Sequence, residues 1–224
     1  MTAIIDIAQL SRRFGGLVAV DTVSTTIESG EIRGIIGPNG AGKTTLLNLV
    51  SGSLRPTSGR ILFSGREVTG LRADKLAAMG VRRTFQNVKL FGEMTALGNV
   101  LVGLHANGHA GIIEALLRTG RQRREEQSMI VAGMQALERV GLASQAGTIA
   151  SSLAYGHRKL LEIARAIVAS PRVLLLDEPA AGLNQSEAAE LVSVIRRINA
   201  DGVTIIIVEH HMEVIMNVCS RITV

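Results

Sequence analysis

The chain has 224 residues, 46% apolar and 19% charged, enough to bury the core of one large domain and unlike a disordered or low-complexity tail. It holds no apolar run of the ~18 residues a membrane span needs, no signal-peptide series at its start, and a single cysteine, Cys219, which fits a reducing compartment. The net charge of +5 comes from 20 Arg against 4 Lys, but only five aromatics (Phe14, Phe63, Phe85, Phe91 and Tyr155) are present to stack on bases. A solvated basic surface is the plainer reading, and no nucleic-acid partner is expected.

Short strand-like runs alternate with helical ones. Ile4–Leu10 and Val18–Ile27 read as an early pair of strands joined by Gly15-Gly16, and Ile32–Ile36 as a short buried strand stopped by Gly37-Pro38. Leu46, Leu47 and Val50 then recur at helical spacing. Pro56, Ser58 and Gly59 mark a turn before Ile61-Leu62-Phe63. From 88 to 150 strand signals are scarce, and Ile130, Met134 and Leu137 fall on one helical face, so an inserted helical subdomain is expected. Strand patterns return at Val173–Leu176 and Val203–Val208, separated by a helix over Gln185–Ala200 with Asn184 as cap and Glu187 at its third position. The alternation predicts an α/β fold with a largely parallel, doubly wound sheet. A last strand-like run, Arg221–Val224, closes the chain.

The segment Gly37–Thr45 reads GPNGAGKTT and fits G-x-x-x-x-G-K-[ST] through Gly37, Gly42, Lys43 and Thr44, with a strand before it and a helix after it. Glycines let consecutive backbone N–H groups converge on phosphate oxygens. The following helix turns its positive end to the same anion. Lys43 would meet the β- and γ-phosphates, and Thr44 would offer a hydroxyl to Mg²⁺. The candidate nucleotide loop is thus Gly37, Pro38, Asn39, Gly40, Ala41, Gly42, Lys43, Thr44 and Thr45.

Arg172–Pro179 reads RVLLLDEP, an apolar strand ending in two adjacent carboxylates. A buried strand tolerates such an end where something cationic or reactive is bound. Mg²⁺ accounts for Asp177, which leaves Glu178 to take a proton from an attacking water. Val203–Val208 ends in Glu209-His210-His211. In a parallel sheet neighbouring carboxyl ends share one edge, so His210 would approach the γ-phosphate. Gln86, taken alone, is an ordinary surface glutamine.

In this order the motifs resemble the ATP-binding subunit of ABC transporters. The phosphate loop is followed by a glutamine loop at Gln86, a signature region at Leu153–His157, the acidic strand, a turn at Ala181–Asn184 and the strand-end histidine. RTFQNVKLF at Arg83–Phe91, the EMTALGNVLVG after it, LAYG at Leu153–Gly156 and DEPAAGLN at Asp177–Asn184 look like the larger ATPase of branched-chain amino acid importers. The resemblance covers essentially the whole chain. It implies a P-loop NTPase core, a mainly parallel sheet with an N-terminal antiparallel β part, built from 1–87 and 151–224. Residues 88–150 would form the helical subdomain of a single nucleotide-binding domain over 1–224, truncated at its C-terminal end.

The resemblance also implies roles. Phe14 would cover the adenine, Gln86 would sense Mg²⁺ and the attacking water, and Asp177 would hold Mg²⁺. Glu178 would be the general base and His210 would contact the γ-phosphate, with Lys43 on the phosphates. Leu153, Ala154, Tyr155 and Gly156 would reach the ATP of a second subunit. The commonest signature is LSGGQ; here Ala154 lacks the serine hydroxyl and Tyr155 replaces a glycine, so this contact is expected to be weaker. His211 stands where relatives often have Asp, and Asn184 where the inter-subunit turn has one.

Expected cofactors are ATP and Mg²⁺. Expected partners are a second ABC ATPase subunit, in a homo- or heterodimer, transmembrane permease subunits and indirectly a solute-binding protein. The expected location is peripheral, on the cytoplasmic face of the inner (plasma) membrane. The cluster Arg118, Arg121, Arg123 and Arg124 reads as a solvated helix face before a lipid contact. The alternative is a soluble ABC-type ATPase of DNA repair or translation, which the basic balance favours slightly; a third reading is an inactive nucleotide-binding scaffold.

Overall fold

The computed structural model describes residues 2–84, 88–105 and 120–224, with the side chains of 105 and 120–125 excepted. Gln86 and Arg118 lie outside the described residues, as do the side chains of Arg121, Arg123 and Arg124. The chain divides into two compact units, Met1–Gln86 with Arg172–Val224, and Asn87–Pro171.

The first unit holds two sheets. β1 (Ala3–Phe14), β2 (Leu17–Glu28), β4 (Ser58–Phe63) and β5 (Arg66–Glu67) form an antiparallel sheet in the order β2-β1-β4-β5. Its apolar face is built by cross-strand matches: Ile5 pairs with Ile27 on one side and Phe63 on the other, and Ile7 pairs with Ile61. β3 (Ile32–Ile35), β6 (Val81–Arg83), β7 (Val173–Asp177), β8 (Thr204–Val208) and β9 (Arg221–Thr223) form a five-stranded sheet, parallel throughout, in the order β6-β7-β8-β3-β9. Every residue of β7 and β8 is buried, which is why both read as nearly continuous apolar runs, broken only by Asp177 and Thr204, instead of alternating ones.

Arg33 of β3 joins the two sheets. Its guanidinium is buried and donates to Thr25 Oγ1 and Thr26 O of β2 and to Thr223 Oγ1 of β9, with Glu31 Oε1 2.8 Å away. α1 (Lys43–Val50), α2 (Ala73–Ala78), α6 (Gln185–Ala200) and α7 (Met212–Val218) complete this unit. α6 has the bounds its pattern predicts. Asn184 accepts from Glu187 N and Glu187 returns a bond to Asn184 N, a full capping box, and Leu191, Val194, Ile195 and Ile198 bury one stripe.

The second unit holds α3 (Ala96–His105), α4 (Gly120–Arg139) and α5 (Tyr155–Ile167). Gly103 lets α3 close on α5, since a Cβ there would sit 2.2 Å from Arg165 O. That packing places α5 with α3 and α4, so the chain returns to the first unit at Arg172 and not at 151 as the sequence suggested. Asn99 is fully buried and locks the segment before α3: it accepts from Phe91 N and donates to Phe91 O and Thr95 O. The apolar stripe of α4 also differs from expectation. Gly133, Ala136 and Leu137 are buried, as is Val140 just past the end of α4, whereas Ile130 is 39% exposed; Gly133 lies against Leu97 and Leu101 of α3, and this close approach sets the stripe.

Candidate functional site

Strand register brings three chain segments to one edge. Ile35 of β3 pairs with Val208 of β8, and Val208 pairs in turn with Asp177 of β7. The residues just past these positions therefore emerge together: the Gly37 loop, Glu178 and Glu209-His210. The loop needs glycine at its end. Gly42 has φ +86°, and a Cβ on it would lie 2.1 Å from Ala19 O. α1 begins at the next residue, with Leu46 N bonded to Gly42 O, so its unpaired N-terminal N–H groups open onto the loop. Lys43 is 9% exposed, and its Nζ donates to Gly37 O at 2.8 Å and Pro38 O at 2.9 Å. Thr44 is exposed and Thr45 half-buried.

Asp177 is almost completely buried. Its Oδ2 accepts from Arg83 Nη2 at 2.7 Å, while its Oδ1 is buried with no hydrogen-bond partner among the described residues. Arg83 is held in turn by Asn48 Oδ1 of α1 at 2.5 Å and by Ser51 Oγ at 3.2 Å. Sequence reasoning missed this arginine as a site residue; the signal was its place in a three-residue strand just before the Gln86 loop.

Glu178 adopts φ +48°, a left-handed conformation that strains a residue with a Cβ by about 1–3 kcal/mol. Its N–H donates to Val208 O at 2.9 Å. Its Oε1 lies 3.6 Å from His210 Nδ1, close but beyond hydrogen-bond range. Glu209, absent from the sequence-based candidates, is fully buried between them: Oε1 accepts from Ala180 N at 2.6 Å, and Oε2 from His210 N and His211 N at 3.1 and 3.3 Å.

A cavity of about 870 Å³ opens over this edge, lined by Phe14, Leu17 to Ala19, the loop Gly37 to Thr45, Glu178 and His210. Phe14 is 45% exposed, and the Arg12 guanidinium stacks 4.5 Å from its ring centroid. The structure thus gathers Phe14, all nine loop residues, Glu178 and His210 around one space, with Asp177 at the adjoining strand end. Leu153, Ala154, Tyr155 and Gly156 are in the second unit; Ala154 precedes the first turn of α5 without a side-chain cap, Tyr155 is exposed, and Leu153 and Gly156 are buried. Chemically, the first-unit cavity offers an anion cradle with a lysine, a ring platform, and a carboxylate beside an imidazole.

Known proteins are similar to this chain in sequence and fold. The family described as ABC transporter matches residues 20–181. The chain is 42% identical over 222 residues to the high-affinity branched-chain amino acid transport ATP-binding protein BraF of Pseudomonas aeruginosa, covering 99% of this chain and 87% of that protein. It is 45% identical over 216 residues to LivG of Escherichia coli K12, of the same description, covering 96% and 85%. Among solved structures, the ADP conformation of an ATP-binding cassette of an ABC transporter superposes with a TM-score of 0.85 at 30% identity, over 97% of this chain and 85% of that one. A nucleotide loop, an acidic strand end and a histidine meeting at one sheet edge, together with similarity over nearly the whole chain, place this protein in the ABC transporter family as an ATP-binding cassette.

Proposed function

We propose that this chain is the ATP-hydrolysing subunit of an ABC importer for branched-chain or chemically similar amino acids. The observation that carries it is the first-unit cavity, where the loop, Glu178 and His210 line one space; the names of BraF and LivG support the cargo class. In this reading Lys43 and the loop N–H groups bind the phosphates, and Phe14 supports the adenine. Glu178 takes the proton of the attacking water, and His210 steadies the γ-phosphate.

The donors fit Mg²⁺ held jointly with the nucleotide. No group of three or more His, Cys, Asp or Glu among the described residues is arranged to hold a metal by itself, whereas Thr44 offers a hydroxyl and Asp177 a buried, unpartnered oxygen, and Mg²⁺ is commonly completed by substrate phosphates and water. When bound, Mg²⁺ would neutralise phosphate charge. Gln86 would report its presence to the membrane partner.

No helix among the described residues is long and apolar enough to cross a membrane. In this reading transport runs through separate permease subunits, with this chain peripheral on the cytoplasmic face and a solute-binding protein delivering the cargo, and the names of BraF and LivG as transport ATP-binding proteins support it. Leu153 to Gly156 would meet the ATP of a second ABC ATPase, of the same or a similar chain. BraF and LivG are transport ATP-binding proteins, which speaks against the DNA-repair or translation alternative, and Glu178 with His210 at the cavity speaks against an inactive scaffold. The test is co-expression with the candidate permease and binding-protein subunits, followed by leucine, isoleucine and valine uptake into vesicles. ATP-driven uptake that Lys43→Ala abolishes is the expected result. Hydrolysis without uptake of any branched-chain amino acid would overturn the cargo assignment, and retention of wild-type ATP affinity by Lys43→Ala would overturn the loop.

A further inference from the structure

We infer that Glu209 is the positioning residue of the hydrolytic site: its buried carboxylate fixes the backbone of the Glu178 turn with one oxygen and that of His210 with the other. The inference deepens the reading of Glu178 as base and rests on it.

Glu209 follows β8, whose last four residues Ile205–Val208 are all apolar, and is as buried as that strand. A carboxylate there is unfavourable unless it is well hydrogen-bonded. Its partners are backbone N–H groups from two separate segments, Ala180 N at 2.6 Å on Oε1, and His210 N and His211 N at 3.1 and 3.3 Å on Oε2. The first belongs to the turn that carries Glu178; the other two belong to the segment that carries His210.

The strain at Glu178 explains why such a clamp is needed. A left-handed conformation at a residue with a Cβ persists only when its surroundings hold it. Glu178 is held on its own N–H by Val208 O, and two residues on by Glu209 through Ala180 N. Both anchors come from the end of β8, so the same rigid point sets the Glu178 backbone and the start of the His210 segment. The 3.6 Å between Glu178 Oε1 and His210 Nδ1 follows from that shared point.

A carboxylate suits this task because both its oxygens only accept. An amide of the same shape would turn an NH₂ toward one segment and leave an N–H there unpaired. A plainer role is capping α7, since His211 directly precedes that helix. Capping does not account for the shortest of the three bonds, the one to Ala180.

The test uses Glu209→Gln and, as a variant that keeps the charge but loses reach, Glu209→Asp, each compared with the intact chain. Amide exchange and steady-state ATP hydrolysis are measured side by side. In both variants kcat should fall about ten- to hundredfold, the scale of one lost charge-assisted bond, with ATP affinity unchanged. Exchange should accelerate together over 178–183 and 209–212. Faster exchange confined to 211–218 would reduce Glu209 to a helix cap. Unchanged kcat in a folded variant, or affinity and kcat falling together, would overturn the inference. If the unaltered chain hydrolyses no ATP even with its partner ATPase present, the reading of Glu178 fails on its own, and the exchange pattern still decides whether Glu209 joins the two segments.

Discussion

Arg83 Nη2 and Asp177 Oδ2 lie 2.7 Å apart, with only 9% and 2% of the two side chains exposed. The pair leaves Asp177 one oxygen, Oδ1, for any metal, and ties it through Asn48 to the helix that follows the phosphate loop. Removing the arginine leaves a buried carboxylate without its compensating charge. Arg83→Met should therefore destabilise the fold by about 3–5 kcal/mol, measured by denaturant unfolding. Adding Asp177→Asn should recover part of that loss, because the stranded charge is then gone; a double variant as unstable as the sum of the singles would show that the two side chains do not interact.

Local chemistry made much of this fold legible. β7 and β8 announce themselves as apolar runs because both of their faces are covered, and α6 because a capping box and a helical stripe coincide on one segment. The meeting of the phosphate loop, Asp177, Glu178 and His210 at one edge was legible for a related reason: each ends or follows a buried strand, where polar residues stand out. Arg83 and Glu209 were not, because their meaning lies in contacts across the sheet edge, 94 residues apart for Arg83 and Asp177 and 29 for Glu209 and Ala180. The burial of α4 was misjudged because Gly133, which has no side chain to score as apolar, marks the actual contact stripe with α3.

Phe14 carries the Arg12 guanidinium against its ring at 4.5 Å and lines the cavity beside the loop. Phe14→Ala should weaken ATP binding by about 1–3 kcal/mol, the scale of one base on an aromatic platform, and should leave inorganic triphosphate binding unchanged. Calorimetry with both ligands checks this. An equal loss for triphosphate would make Phe14 a structural residue of the loop and not a base platform.

Cys219 gives a pH dependence with a definite sign. Burial pushes its thiol up from 9.0 to about 11, so the folded chain keeps its proton where the unfolded chain releases it. The stabilisation is complete below pH 9 and is lost as pH rises toward 11. Cys219→Ala should flatten the fall of Tm across that window. It should also lower Tm at every pH, since Sγ packs against Gly34; a slope identical to that of the unaltered chain would assign the alkaline loss to other groups.

Glu178→Gln separates binding from chemistry. The amide keeps the size of the side chain, and it inherits the same left-handed backbone held by Val208 O and Glu209, so Tm and ATP affinity should stay near those of the unaltered chain. It cannot accept the proton of the attacking water, and hydrolysis should fall by about 10²–10⁴. Slow hydrolysis then prolongs the ATP-bound state. If Leu153 to Gly156 of one subunit complete the site of another, that state should hold two subunits together. Because Ala154 lacks the serine hydroxyl, a second ATPase of the native importer is the partner most able to show it. Sedimentation of the variant with that partner, with and without MgATP, should reveal association only when nucleotide is present. Undiminished turnover would assign the base to another residue, and monomers under both conditions would remove the second subunit from the mechanism.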